Sequence, residues 1–175
     1  MSKWILDASH SEVQFKIRHL VISNVTGSFN DFSGEIESAD DAFSDLKTSF
    51  SASVASIDTN QAQRDEHLKS DDFFAAATFP NITFSSNEKL QKSGDSHILN
   101  GILSIRGIEK PVQLSVDFGG IAKDGYGQIK AGFEITGKIS RKEFGLTWSA
   151  LTETGGLMVG DEVKLMLNMQ FVKQA

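Results

Sequence analysis

Residues 128–139 read Q-I-K-A-G-F-E-I-T-G-K-I, and this stretch decides the fold. Ile129, Ala131, Phe133, Ile135, Gly137 and Ile139 fall on one side of a strict alternation, with Gln128, Lys130, Gly132, Glu134, Thr136 and Lys138 on the other. A period of two is that of a strand with one apolar and one wet face. At ~3.4 Å per residue such a strand spans ~40 Å. That is long for a simple sandwich and natural for a tilted barrel strand.

Working outward, the period recurs. Towards the C-terminus, Arg141 to Trp148 predicts a polar–aromatic bend and Thr152 to Gly156 a flexible loop. Val163, Leu165, Leu167, Met169 and Phe171 then form a last strand. Towards the N-terminus, Val112, Leu114, Val116 and Phe118 form a strand ended by a turn at Gly119, Gly120, Asp124 and Gly125. A hairpin at Arg106 to Pro111 joins it to Leu99, Gly101, Leu103 and Ile105, and a polar turn at Lys89 to Ser96 leads back to Ile82 and Phe84. Phe50, Ala52 and Val54 alternate with serines; Val25, Gly27 and Phe29 continue into Phe32, Gly34 and Ile36; Val13, Phe15 and Ile17 alternate with charged residues. Trp4 to Asp7 leads in, and the small, acidic Ala39–Asp45 segment reads as a turn. About eight antiparallel strands result, each wet on one face. An eight-stranded up-and-down barrel removes every edge and can hold one small ligand inside. A two-sheet sandwich fits the same strand count. The small residues on the apolar faces (Gly27, Gly34, Ala52, Gly101, Ala131, Gly137) either leave room for a cavity or relieve crowding where strands coil.

One stretch breaks the period. Residues 57–84 read I-D-T-N-Q-A-Q-R-D-E-H-L-K-S-D-D-F-F-A-A-A-T-F-P-N-I-T-F. Asp58 with Gln61 is an imperfect capping box, predicting a helix start. Ser70 offers a second N-cap, followed by Asp71 and Asp72, which suit the positive end of a short helix. Phe73 and Ala77 would share a face of that helix, and Pro80 would end it. The expectation is a helical insert at about residues 58–79, acting as lid or plug to a β structure in one domain spanning residues 1–175.

Composition narrows the function. The 175 residues are 39% hydrophobic and 23% charged, with net charge -6 and no cysteine. The acidic balance argues against nucleic acid as a partner and against anionic lipid surfaces. Without cysteine there are no disulfides, thiolate metal sites or cysteine nucleophiles. No apolar run approaches the ~20 residues of a membrane-spanning helix. The start, Met1-Ser2-Lys3-Trp4, lacks a signal peptide's apolar core, so the chain as written reads as cytoplasmic, or periplasmic if an export signal has been removed. There is no G-x-S-x-G elbow and no H-E-x-x-H, and Gly125-Tyr126-Gly127 reads as a turn. Asn24 and Asn81 begin formal glycosylation sequons, weak signals alone. His10 and His19 lack a second ligand at metal spacing, so no metal site is assigned.

Four separated motifs carry a family resemblance: W-I-L-D-A-S-H-S-E-V-Q-F-K-I-R-H-L from Trp4; A-S-I-D-T-N-Q-A-Q-R-D-E-H-L-K-S-D-D-F-F with F-P-N-I-T-F; L-N-G-I-L-S-I-R-G-I-E-K-P-V; and S-R-K-E-F-G-L-T-W. In this order, over essentially the whole length, the chain resembles the YceI-like family, also described as polyisoprenoid-binding proteins. The resemblance implies a lipocalin-like eight-stranded antiparallel barrel with a helical insert. It also implies an interior for a long apolar chain, a polyisoprenoid, quinone or fatty-acid-like ligand: a polyprenyl pyrophosphate, the isoprenoid tail of a quinone, or a fatty acid or fatty amide. It implies no required cofactor and a homodimer, and it implies export to the periplasm for many members.

The expected tunnel residues are Val13, Phe15, Ile17, Val25, Phe29, Phe50, Val54, Phe84, Leu103, Leu114, Val116, Phe133, Ile135, Leu165, Leu167 and Met169, with Phe73 and Phe74 walling one end. Ordinary core packing is the alternative for each. Arg64, Asp65 and His67 either hold a polar head group or pin the insert; Arg141 meets a head group, is solvated or braces a hairpin. Two function classes follow. One is a carrier that sequesters a long-chain amphiphile without catalysis. The other is an enzyme acting on such a lipid, with Arg64, Asp65 and His67 as its acid–base set. A stress-responsive interaction protein is a weaker third.

Overall fold

The alternating segments pair edge to edge in chain order until the last closes on the first. The structure, a computed structural model, describes residues 1–19, 23–147 and 159–175. The expected Trp148 of the bend, the Thr152–Gly156 loop and the side chain of His19 lie outside the described residues.

β1 (Ser2–Leu6) and β2 (Glu12–His19) form one stave, broken by the 3-10 turn Ala8–His10. The lead-in is thus itself a strand. β3 (Ser23–Phe29) and β4 (Phe32–Ser38) form the second stave, paired to the first from His19↔Ser23 to Ser2↔Ser38. β5 (Leu46–Ser53) follows, then the two-residue β6 (Ile57–Asp58) beside β3. β7 (Asn81–Ser86) and the short β8 (Gln91–Ser93) both pair with β9 (Ser96–Ile105). β10 (Ile108–Lys123), β11 (Ile129–Ser140) and β12 (Val159–Lys173) complete the meander. β12 pairs β2 through Leu167↔Val13 and β1 through Phe171↔Leu6, which closes the cylinder. The result is a closed eight-staved antiparallel barrel, not a sandwich.

Two turn expectations are corrected. Gly119 and Gly120 do not end β10: the strand runs through them with a bulge between Phe118 and Gly120, and the turn comes at residues 124–127. A bulge supplies the local twist that barrel closure needs. The Ala39–Asp45 turn is not merely polar: it buries Phe43 completely.

In the insert, α1 (Ala62–Lys69) starts later than expected. Its N-cap position is Gln61, without a side-chain cap, while the Asp58 carboxylate accepts from the Asn60 N–H at 2.9 Å. Ser70 closes α1, its N–H and hydroxyl both donating to the His67 carbonyl, so it does not open a second helix. Residues 71–78 form successive turns in which Phe73 is buried and Ala77 exposed. Ala75 takes a left-handed φ of 49° there, which a continuing helix would not allow.

Antiparallel pairing fixes which loops share an end. The insert, the Arg106–Gly107 turn and the 3-10 turn Arg141–Phe144 lie at one end, the lid. The 39–45 turn, the β10–β11 turn and the chain's first strand lie at the other, the floor.

Candidate functional site

The floor is an aromatic plug. The Phe43 ring lies 5.1 Å from Trp4, 5.4 Å from Phe118 and 5.2 Å from Phe133, and Phe133 meets Phe171 at 5.8 Å. Tilted and edge-on contacts of this kind add to the area each ring buries. The turn that delivers Phe43 is tied down: the Ser38 hydroxyl donates to the Asp45 carbonyl at 2.8 Å, and the Asp40 carboxylate accepts from the Ala42 and Ser44 N–H groups.

Above the plug lies a cavity of about 650 Å3, within the ~300–1,000 Å3 range of small-molecule sites. Val13, Phe15 and Ile17 reach it from β2, Val25 and Phe29 from β3, and Phe50 from β5. Phe84 lines it from β7, Leu103 from β9, and Leu114 and Val116 from β10. Phe133 and Ile135 come from β11; Leu165, Leu167 and Met169 from β12; Phe73 and Phe74 from the insert. Val54 does not line it. β5 ends at Ser53, and Val54 enters a 3-10 turn whose N–H donates to the Pro80 carbonyl at 2.9 Å; the alternation stops one residue short. Residues such as Ile36, Leu99, Ile105, Ile139, Val163 and Phe171 also line the cavity. Their signal was the same period that placed their neighbours.

The small residues act differently from the cavity expectation. A Cβ on Gly27 would stand 2.7 Å from Cε1 of Phe15, its cross-strand partner. One on Gly101 would meet Phe84 Cε2 at 2.7 Å, and one on Gly137 Leu114 Cδ2 at 2.7 Å. Those sites are filled, not vacant. Each glycine lets a large neighbour lie flat against the wall, and the lumen stays open because the rings are kept out of it.

The lid end is polar. Gln61, Gln63, Arg64 and His67 line the cavity from the insert, with Leu68 the one apolar residue that α1 adds. Arg64 is held by Thr59: Nε donates to Oγ1 at 2.8 Å and Nη2 to the carbonyl at 2.6 Å. Asp65 does not line the cavity. Its Oδ1 accepts the Thr59 N–H at 2.9 Å and the Thr59 hydroxyl, so it pins the insert. His67 Nε2 is 2.9 Å from Asp72 Oδ2, and its ring meets Phe73 edge-on at 5.2 Å. The expected trio therefore divides: Arg64 and His67 on the wall, Asp65 behind it.

Arg141 is 2% exposed, where a solvated residue was the alternative to a brace. Nε donates to the Gly160 carbonyl at 2.8 Å and Nη1 to the Leu146 carbonyl, joining the 3-10 turn to β12. Burial pulls its pKa down from the usual arginine value, and the Asp161 carboxylate opposes this. Arg106, in the β9–β10 turn, donates to the Gly145 carbonyl at 2.8 Å and the Asp71 carbonyl at 2.9 Å, tying the insert to the barrel rim. Among the described residues no group of three His, Cys, Asp or Glu could hold a metal ion, and no helix is long and apolar enough to cross a membrane.

A site with a greasy shaft and a polar cap can hold an amphiphile, its tail in the shaft. The comparisons agree with the architecture. The model of the YceI-like domain matches residues 4–171. A UPF0312 protein of Staphylococcus aureus (strain bovine RF122 / ET3-1) is 36% identical over 172 residues, 98% of each chain. The crystal structure of the Campylobacter jejuni YCEI protein superimposes with a TM-score of 0.75, at 34% identity and 90% coverage of both chains. A polyisoprenoid binding domain from Saccharophagus degradans, implicated in plant cell wall breakdown, gives a TM-score of 0.67 with 98% coverage of both chains. Its identity of 15% makes it a likeness of fold.

Proposed function

This chain belongs to the YceI-like family, and on that premise we propose that it is a binding protein for one long-chain amphiphile, an isoprenoid or a similar lipid. The observation that carries this reading is the 650 Å3 cavity, walled by apolar side chains from every stave. The name of the S. degradans domain, a polyisoprenoid binding domain on the same fold, supports the isoprenoid choice.

The energetics support a tail-driven binder. Each buried CH2 contributes ~0.8 kcal/mol, so a five-carbon isoprene unit contributes ~3–4 kcal/mol. Association costs ~4–15 kcal/mol in lost freedom. Three or more units in the shaft therefore exceed the lower part of that cost without any specific hydrogen bond. Selectivity among tails is then set by length and girth.

The reading needs no catalytic step. The test is extraction of denatured, purified protein for mass spectrometry, together with melting curves in the presence of geranylgeraniol and of palmitate. Ligand at a hundred times its dissociation constant stabilises by ~2.7 kcal/mol, which raises the melting temperature by ~5–10 °C for a chain of this size. An empty extract and an unmoved melting temperature with both lipids would overturn it.

A further inference from the structure

The outer wall of the barrel carries a row of like charges. Lys138 of β11, Lys164 of β12 and Lys16 of β2 are direct cross-strand partners, Lys138↔Lys164 and Lys164↔Lys16. Cross-strand partners share one face of a sheet. Here that face is the outer one, because their chain neighbours Ile139, Val163 and Ile17 line the cavity from the other side. We propose that this ladder, with the groove beside it, is a second binding site, for a compact oxyanion of charge three or more. It lies outside the apolar cavity and does not rest on the lipid-binding reading.

Three observations support the site. First, the ladder is unfavourable by itself. Like charges directly opposite each other destabilise a sheet, and strands ~4.8 Å apart set the three lysines within ~10 Å. Lysines often blunt a sheet edge, but β11, β12 and β2 are each paired on both sides. Nor do these lysines raise the net charge that favours solubility: the chain stands at -6, and each lysine brings it nearer zero. A cost in stability with no return in the fold is what a retained binding site looks like.

Second, the ladder is not neutralised. Glu162 reaches Lys138 at 4.0 Å, with both side chains more than half exposed. Lys164 and Lys16 have no ion pair among the described residues. Glu134 and Glu12, the acids on the same face of β11 and β2, stand four residues further along, ~13 Å away.

Third, the ladder borders a groove of about 380 Å3 on the outer wall, lined by Lys138 and Lys164. Ser93, Gln113, Ser115 and Thr136 line it further, and no Asp or Glu does among the described residues. Ser96, also in the lining, is engaged by Asp117, to which its hydroxyl donates at 2.5 Å. The remaining hydroxyls and the amide can donate to an anion that the ammonium groups hold. An ammonium is a point charge with rotatable donors. The number of negative charges therefore matters more than their arrangement, and an anion bridging the ladder replaces repulsion by attraction.

The test uses urea midpoints of the full chain at low salt, with tripolyphosphate, citrate or orthophosphate added at matched ionic strength. Tripolyphosphate and citrate should stabilise the folded chain, with affinities about tenfold above that of orthophosphate. Lys164→Gln removes the middle of the ladder. It should raise the midpoint of the ligand-free protein and weaken tripolyphosphate about tenfold. Both effects should fade as salt rises. Lys16→Gln should show the same pair of changes at smaller size. Lys47→Gln removes the same charge from β5, opposite Glu37, and should leave the affinity for tripolyphosphate unchanged.

Stabilisation by tripolyphosphate alone assigns the ligand as a polyphosphate, and stabilisation by citrate as well assigns it as any compact polyanion. A wild type that neither anion stabilises overturns the proposal. So does an affinity that survives Lys164→Gln, or that falls equally in Lys47→Gln. Binding to phosphatidylglycerol vesicles without a response to tripolyphosphate also overturns it, and makes the ladder a membrane-docking surface. Every probe here lacks an apolar tail, so none of these outcomes bears on the lipid-binding reading.

Discussion

At the floor the barrel is closed by rings; at the lid hydrogen bonds join Phe73 and Phe74 in closing it. Trp4, Phe43, Phe118, Phe133 and Phe171 seal one end with aromatic contacts between 5.1 and 5.8 Å. The other end depends on Thr59, Asp65, Arg64 and Arg106 binding to each other and to backbone carbonyls, and α1 itself buries no residue. Apolar packing is lost only when the surrounding core comes apart. Hydrogen bonds at a rim can open locally, with water replacing the partners. The floor therefore belongs to the stability of the whole molecule, and the lid is the end expected to open locally.

The largest expected effect breaks the floor. Phe43→Ala removes a fully buried ring that meets Trp4, Phe118 and Phe133. Large-to-small changes of this kind cost ~3–5 kcal/mol, or ~6–20 °C in melting temperature at this size. A drop of a degree or two in a melting curve would mean the plug does not bear on global stability.

Next comes the wall between the two ends. In Gly101→Ala the new methyl meets Phe84 Cε2 at 2.7 Å and the Ser85 carbonyl oxygen at 2.6 Å. The carbonyl cannot yield, so the ring moves into the lumen. Overpacking costs ~1–3 kcal/mol, and denaturant titration should read it. Long tails should also lose more affinity than short ones, because the shaft narrows. Stability lost with tail selectivity unchanged would place the ring outside the ligand's path.

Much of this was legible in residues 128–139, whose strict period gives the inward face of β11, and in the same period on the other staves. Phe43 was not legible. A single ring in a short acidic turn has no period, and its burial depends on strands that arrive from distant sequence. For Gly27 and Gly101 the sequence leaves empty space and relief of crowding both open, since it shows a missing side chain and not the neighbour lying over it; the structure gives the second. In the insert the helix was visible, but its start was misplaced: Asp58 resembled a cap, yet its carboxylate serves the Asn60 N–H. Arg64, Asp65 and His67 were visible as a charged cluster. Their division depends on Thr59, which charge patterning does not mark.

A pH series sharpens the floor from outside. Asp7, beside β1, has its pKa lowered from 3.8 to about 2 by the hydrogen bond from Ser9, with His10 and Lys130 adding to it and burial opposing. A carboxyl with a depressed folded-state pKa contributes stability that is full above about pH 4 and is lost as pH falls towards 2. The contribution is on the order of 2 kcal/mol, for a side chain 19% exposed. Asp7→Asn should lower stability at pH 7 and flatten its dependence between pH 4 and 2, seen in urea midpoints. An unchanged slope would show that Ser9 and Lys130 hold Asp7 no better in the folded state than in the unfolded one.

The smallest effect tests whether the lid opens by itself. Arg106 holds the insert through the Asp71 carbonyl and the rim through Gly145, from a left-handed φ of 52°. Arg106→Ala removes both bonds and keeps the backbone conformation, at ~1 kcal/mol, a factor of about five in a local opening equilibrium. Amide exchange at Phe73 and Ala75, whose N–H groups donate to the Ser70 carbonyl, should quicken by that factor. Amides of β11, paired on both sides, should not change. If β11 quickens equally, the insert and barrel open as one unit, and the division between a sealed floor and a working lid is lost. If only the insert responds, the clasp sets how often the shaft is open, and ligand on-rates should rise in the same variant.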